Sequence, residues 1–248
     1  MLEASENTEF ESSTFMERGA CCIILAGGLG TRLRSAVPDL PKCMAPVAGK
    51  PFLHYVIQYL QEQGVDNFIF SLGYMHEVIE DCILKNHPLL NYQLSIEEEP
   101  LGTGGAILLA CKKVNEENVL VVNGDTMFRV NTNKLLSFHH QQWADCTLAL
   151  KPMHNFDRYG VVEINKDGNI QSFKEKKFYH EGLINGGVYV LNAPRFLTFG
   201  LPEKFSFEKD YLEKYYSTQK MMGLVQDEYF IDIGIPEDLE KANSEFEV

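Results

Sequence analysis

Residues 20–34 read ACCIILAGGLGTRLR, and the first half of that stretch decides the fold. Ala20 to Ala26 is an unbroken run of small and apolar residues without polar alternation, which suits a strand covered on both faces. Three glycines follow in four positions (Gly27, Gly28, Gly30), then Thr31, Arg32 and Arg34. A glycine-rich turn at the carboxyl end of a first buried strand is the usual phosphate-binding place of an open α/β sheet. Two common phosphate loops are excluded by position. G-x-G-x-x-G would need glycine where Leu33 stands, and a P-loop would need Gly-Lys-Ser/Thr where Thr31-Arg32 follows. What remains is G-G-x-G-T-R, in which small residues free backbone N–H groups for phosphate oxygens and Arg32 adds a permanently charged fork.

Working outward, strands and helices alternate. Helical spacing runs over Phe52–Gln63, with Gly64 as its stop, and over His76–Asn86, Thr103–Val114 and Thr132–Gln142. Strands are expected at Asn67–Leu72, Tyr92–Ile96, Val119–Val122 and Cys146–Lys151. The order predicts an α/β fold: a Rossmann-like, mainly parallel sheet with helices on both faces. After residue 150 the texture changes. Gly160–Ile164 and Ile170–Lys174 flank the turn Lys166-Asp167-Gly168-Asn169, and Ile184–Leu191, Met222–Val225 and Tyr229–Asp232 are further strands. This is a smaller antiparallel portion within one domain, residues 20–248. A helix is expected over Phe207–Tyr216, and Pro236 opens the last one. Residues 1–19 are polar and acidic and read as a mobile extension.

The chain has 248 residues and a formal net charge of −13, which argues against general binding to nucleic acid or to an anionic membrane. Local basic loops can still hold phosphates. Six cysteines without any C-x-x-C pair read as reduced thiols rather than a disulfide or zinc framework. No apolar run approaches the roughly 20 residues that span a bilayer, and no basic-then-apolar leader is visible. A cytoplasmic protein is expected.

Several acids, cations and glycines stand at strand ends. The strand Val119–Val122 runs into Asn123-Gly124-Asp125, and Tyr229–Ile231 runs into Asp232. Two such acids beside a phosphate loop could share one Mg²⁺, which takes few carboxylates and keeps phosphate oxygens and waters. Lys42, ten residues after Arg32, is within reach of the same strand end. Gly102-Thr103-Gly104-Gly105 is a second glycine-rich turn, against which a flat base could lie. Glu175-Lys176 and Asn185-Gly186-Gly187 offer a hydroxyl-binding acid, a phosphate-binding cation and a polar amide. His139-His140 has no metal-ligand spacing nearby and reads as structural or solvated.

Taken together these residues resemble the sugar-1-phosphate nucleotidyltransferases. Leu25–Arg34 is similar to that family's signature loop. Pro41-Lys42, Glu99-Pro100-Leu101-Gly102-Thr103-Gly104-Gly105, Gly124-Asp125, Glu175-Lys176, Asn185-Gly186-Gly187 and Asp232 follow in the family's order. Phe156-Asp157-Arg158-Tyr159-Gly160, Leu183–Gly187 and Lys204–Glu208 are most similar to its D-glycero-α-D-manno-heptose 1-phosphate guanylyltransferase branch. Cys43 departs from the proline usual there. The resemblance implies that an NTP, GTP first among them, and a sugar 1-phosphate, a manno-heptose 1-phosphate first among them, give an NDP-sugar and pyrophosphate. It implies that Leu25, Ala26, Gly27, Gly28, Gly30, Thr31, Gly102 and Thr103 meet the nucleotide. Arg32 and Lys42 would meet phosphates, Gly160, Glu175, Lys176 and Asn185 the sugar phosphate, and Asp125 and Asp232 the Mg²⁺. A homo-oligomer is compatible with it. Mannose 1-phosphate or another sugar, UTP or dTTP, and a silent nucleotide-sugar-binding regulator are the alternatives. A sugar transferase with an NDP-sugar donor would usually carry Asp-x-Asp, and Asp125-Thr126-Met127 lacks the second acid.

Overall fold

A computed structural model describes residues 20–28, 40–73 and 75–246. The expected mobile extension and the loop residues Gly30, Thr31 and Arg32 lie outside the described residues. Strand β1 (Ala20–Leu25) has the two-sided burial that its unbroken apolar run predicts. Cys22 and Ile24 pack into one hydrophobic layer with Phe52, Leu53 and Ile57. Cys21 and Ile23 pack into the other with Ile107 and Cys111. Each fully buried branched side chain contributes about 1.5–3 kcal/mol, so this strand is the spine of both layers.

On one side β1 pairs in parallel with β4 (Val65–Leu72), and β4 with β5 (Tyr92–Ile96). On the other side β1 pairs in parallel with β6 (Asn118–Asn123). Beyond β6 the seven-stranded sheet continues through β11 (Tyr179–Asn192), β8 (Cys146–Phe156) and β12 (Met221–Val225). The pairings make β11 antiparallel to the other six strands. The chain lays down β1, β4 and β5 in one direction and then returns to β6 on the far side of β1. That reversal opens a crevice outside the carboxyl ends of β1 and β6, the general ligand position of such sheets.

Helices cover both faces, as expected. The layer holding Ile24 also takes residues of α1 (Phe52–Glu62), α2 (His76–Asn86), α4 (Thr132–Gln142) and α7 (Pro236–Glu245). The opposite layer takes α3 (Gly102–Cys111), α5 (Ala193–Thr198) and the helical segment after residue 206. That segment corrects the expectation of a regular helix over Phe207–Tyr216. It is a π-helical turn, Phe207–Leu212, running into the short α6 (Glu213–Tyr215). Its buried residues Phe207, Tyr211 and Leu212 fit ordinary helical spacing, so periodicity could not reveal the wider turn.

Strands β8 and β11 run further than expected. They leave the sheet together as a two-stranded ribbon, paired as far as Tyr179 opposite Phe156. The predicted hairpin, β9 (Val161–Ile164) with β10 (Ile170–Lys174), packs on that ribbon through Phe156, Val161 and Ile184. The expected strand at Tyr229–Asp232 is present as β13 (Phe230–Asp232), but four short features were not legible: a 3₁₀ turn at Lys42–Met44, the pair β2 (Pro46–Val47) and β3 (Lys50–Pro51), the strand β7 (Thr126–Phe128) that pairs with β13, and α5 itself. Strands of two or three residues carry no period to read. His139 is buried as a structural residue, bonded to Thr147 Oγ1 at 2.8 Å and Asn118 Oδ1 at 3.1 Å, whereas His140 is exposed.

Candidate active site

The crevice is assembled by pairing between segments far apart in sequence. The Gly124 N–H donates to the Leu25 carbonyl at 2.9 Å, fixing the end of β6 against the end of β1. Asp125 follows and leads into β7. Strand β13 pairs antiparallel with β7, setting Asp232 opposite Thr126, and the Ile233 N–H donates to the Asp125 carbonyl at 3.1 Å. The two strand-end acids therefore stand side by side. The 3₁₀ turn delivers Lys42 between them, with Nζ 2.5 Å from Asp125 Oδ2 and 3.1 Å from Asp232 Oδ1. Gly234 N–H also donates to Asp232 Oδ1, at 2.9 Å.

These side chains are partly buried. Burial opposes the charge on Lys42, but the charges and hydrogen bonds of Asp125 and Asp232 outweigh it and hold the ammonium above its ordinary pKa. Lys42 thus stays protonated at neutral pH. The cluster of one ammonium and two carboxylates keeps a negative excess on which a further cation can act. No group of three or more His, Cys, Asp or Glu side chains suited to a metal occurs among the described residues. Two carboxylates fit Mg²⁺ nonetheless, because it binds through one or two of them and completes its shell with phosphate and water oxygens. The all-oxygen donor pair disfavours softer metals.

At the end of β1, the glycines divide by role. A Cβ on Gly27 would lie 2.9 Å from Gly73 N and 3.2 Å from Glu97 Oε1, so this glycine lets the ends of β1 and β4 meet. A Cβ on Gly28 would meet nothing within 4 Å among the described residues. Of the two, Gly28 is the one left open by the described residues. Ala26 N–H is taken by the Ser71 carbonyl at 2.9 Å, and Leu25 lies in register with Asn123 and Ser71.

The nucleotidyl transferase family matches residues 21–247. The chain belongs to the nucleotidyl transferase family. A D-glycero-α-D-manno-heptose 1-phosphate guanylyltransferase of Aneurinibacillus thermoaerophilus is 53% identical over 225 residues, 91% of this chain and 97% of that one. The solved structure of HddC from Yersinia pseudotuberculosis complexed with GMP-PN is 40% identical, with a TM-score of 0.83 over 92% of this chain and 99% of that one. A UTP-bound UGPase from Acinetobacter baumannii, 20% identical with a TM-score of 0.73 over 92% of this chain and 93% of that one, shares the fold.

Other nucleotidyltransferase residues named from the sequence lie on both sides of Asp125. Gly102 and Thr103 open α3, and protein atoms already occupy much of that turn. The Gly104 N–H donates to the Phe205 carbonyl at 3.0 Å, and Thr103 Oγ1 accepts from the Phe207 N–H at 3.0 Å. Gly160 lies against the Lys174 carbonyl at the base of the hairpin. Glu175 and Lys176 follow β10, are exposed, and do not pair with each other. Asn185 stands where β11 bulges, next to the end of β6.

Two residues to which sequence reasoning gave no role stand out. Glu97 directly follows β5, is half-buried, and holds α3 by accepting the Leu101 N–H at 2.7 Å through Oε2. Burial raises its pKa and the Leu101 bond lowers it, with a net rise. It had the same signal as Asp125, an acid where a strand ends. Arg158 pairs with Asp238 Oδ2 at 2.6 Å, tying the end of the ribbon to the first turn of α7.

Proposed function

We propose that this nucleotidyltransferase transfers GMP from GTP to D-glycero-α-D-manno-heptose 1-phosphate, giving GDP-heptose and pyrophosphate. The Lys42–Asp125–Asp232 cluster at the sheet's switch point carries the reaction type, and the heptose guanylyltransferase relative supports the choice of base and sugar. An oxygen of the sugar phosphate attacks the α-phosphorus, and the bond from that phosphorus to the bridging oxygen of the β-phosphate breaks. A phosphomonoester has its second pKa near about 6 and is largely a dianion at neutral pH. The attack therefore needs no general base. The barrier is the approach of one anion to another, so positioning and positive charge carry the catalysis.

Lys42 is suited to this. It is a charged donor held at one place by two carboxylates, and its ammonium can neutralise a phosphate oxygen as charge develops. Arg32, by its place in the loop, would hold the departing pyrophosphate. Asp125 and Asp232 would hold Mg²⁺, which when bound would neutralise phosphate charge and orient the α-phosphate. Glu97 presents a carboxylate at the Gly27 end of the crevice. Guanine carries two neighbouring donors, N1–H and the 2-amino group, that a carboxylate can accept together. Uracil has only one such donor. Among the described residues no helix is long and apolar enough to cross a membrane. All six cysteines are free and buried, and free thiols fit a reducing compartment such as the cytoplasm.

The test is a matrix of four nucleoside triphosphates against heptose, mannose and glucose 1-phosphates with Mg²⁺, read as pyrophosphate release. GTP with the heptose 1-phosphate should be the fastest pair. No release with any pair would sink the proposal.

A further inference from the structure

The β11 side of the crevice is built from hydroxyl and carboxylate groups. Strand β11 is in register with β6 as far as Val188, opposite Val122. Beyond it the register on β8 shifts between Asn185 and Tyr189. This bulge lies past the sheet edge from which Asn123 and Asp125 project. A Cβ on Gly187 would stand 2.6 Å from Asn123 Nδ2, which measures how closely the bulge approaches the end of β6.

Asn185 is engaged within the protein. Its Nδ2 donates to Tyr189 Oη at 2.9 Å and to Glu208 Oε1 at 3.3 Å, and its Oδ1 accepts the Gly187 N–H at 3.1 Å. A primary amide has two donor hydrogens and about two acceptor sites, so both donors are taken. Glu208 is the reverse case. It is exposed, makes this one hydrogen bond and has no ion-pair partner among the described residues. An ionised carboxylate offers about four acceptor sites, and most of these are open. The π-helical turn that carries it is anchored by buried Phe207 and Tyr211 and by the Phe207–Thr103 hydrogen bond to α3. Such turns concentrate at functional sites. Glu175 and Glu208 both stand close enough to Glu213 that, after burial, their charges raise its pKa.

We infer that Glu208 is the residue that accepts hydrogen bonds from the sugar hydroxyls of the sugar 1-phosphate, and that Asn185 is a positioning residue that holds Glu208 for it. The inference rests on the proposed sugar 1-phosphate substrate and names which side chain meets its sugar. A polyol is rich in donors, and carboxylate acceptors make the stronger charge-assisted bonds. The two charges would also orient the substrate: phosphate toward the Lys42 ammonium, hydroxyls toward the Glu208 carboxylate. The sugar contact that the resemblance implies for Asn185 thereby passes to Glu208.

The test uses the full chain with heptose 1-phosphate, a non-hydrolysable GTP analogue and Mg²⁺ for calorimetric binding, and with GTP for turnover. Glu208→Gln and Glu208→Ala should weaken sugar-phosphate binding by roughly 10-fold or more, the loss of one charge-assisted hydrogen bond, while the KM for GTP stays within about 2-fold. Asn185→Ala should weaken sugar binding in the wild-type background and add nothing in the Glu208→Ala background. Unchanged sugar affinity in both Glu208 variants, with circular dichroism showing them folded, overturns the inference. So does an Asn185→Ala effect that persists in full without Glu208. Sugar-phosphate binding by wild-type protein that releases no pyrophosphate would overturn the proposed reaction instead, leaving the Glu208 comparison readable through binding.

Discussion

Lys42 does two jobs at the residue scale, and they respond differently to substitution. In the folded protein it balances the two carboxylates that its own ammonium touches at 2.5 and 3.1 Å. In the proposed reaction it would be the positive charge set beside the phosphates. Lys42→Met should lower turnover and also destabilise the fold by about 1.5–3 kcal/mol, the scale of hydrogen bonds to charged groups. Pyrophosphate assay and urea unfolding together check this, and an unchanged unfolding midpoint would mean that the aspartates do not need it. Asp125→Asn keeps the shape and removes a charge. Turnover should fall about 100-fold or more, as loss of several kcal/mol of metal-mediated stabilisation requires, with the fold retained. Near-normal activity would refute the metal role. Glu97→Gln should narrow the preference for GTP over UTP, because an amide replaces one of the two acceptors with a donor. Competition between the two triphosphates measures it, and an unaltered ratio would take Glu97 out of base recognition. Asp125 and Asp232 were legible because an apolar strand announces an acid at its end. Glu97 carried the same signature. Glu208 had none, since only the fold puts it beside Asn185.

Among elements, α3 shows how a glycine-rich turn can serve the scaffold. Gly102 has φ +72°, and a Cβ there would stand 2.6 Å from the Phe205 carbonyl oxygen. The turn is therefore glycine-rich at least in part because residues 203–205 press on it, and the Thr103 hydroxyl is engaged by Phe207. Gly102→Ala should destabilise the protein by more than about 1 kcal/mol, since alanine is strained at positive φ and has no room. For a chain of this size that is a fall in Tm of roughly 2–4 °C per kcal/mol. Differential scanning fluorimetry would detect it, and an unchanged Tm would show that the turn relaxes freely. Long periodic elements were legible for the opposite reason: α1, α2 and α4 each bury one face over three turns, so their spacing records their environment. The strand at β13 was legible, but β7 has only three residues and the two partners are far apart in the chain, so nothing local marks their pairing.

Across the whole molecule, two histidines tie stability to pH. Burial holds His139 down to about 4, with His140 and Arg195 adding to it and Asp145 opposing. Burial, with His54 and Lys50 nearby, holds His87 down to about 4 as well. Both are neutral in the folded state at a pH where the unfolded chain, with its ordinary histidine pKa of 6.5, takes up protons. The unfolded state then binds more protons, so stability is full above about pH 6.5 and falls as pH drops toward about 4. Urea midpoints at about pH 7.5 and 5.0 test this, and a midpoint that does not fall would remove these histidines from the balance. The sequence by itself determined the strand–helix alternation, the two-sided burial of β1, the glycine-rich stretch after it and the acids at strand ends. Those features are written in local periodicity and in the chemistry of single residues. Only the tertiary structure decided that Lys42 sits between Asp125 and Asp232, that Gly27 serves strand packing while Gly28 meets none of the described residues, and that Asn185 is hydrogen-bonded to Glu208. Each of these depends on backbone pairing or close approach between distant segments, and such contacts leave no period in the chain that makes them.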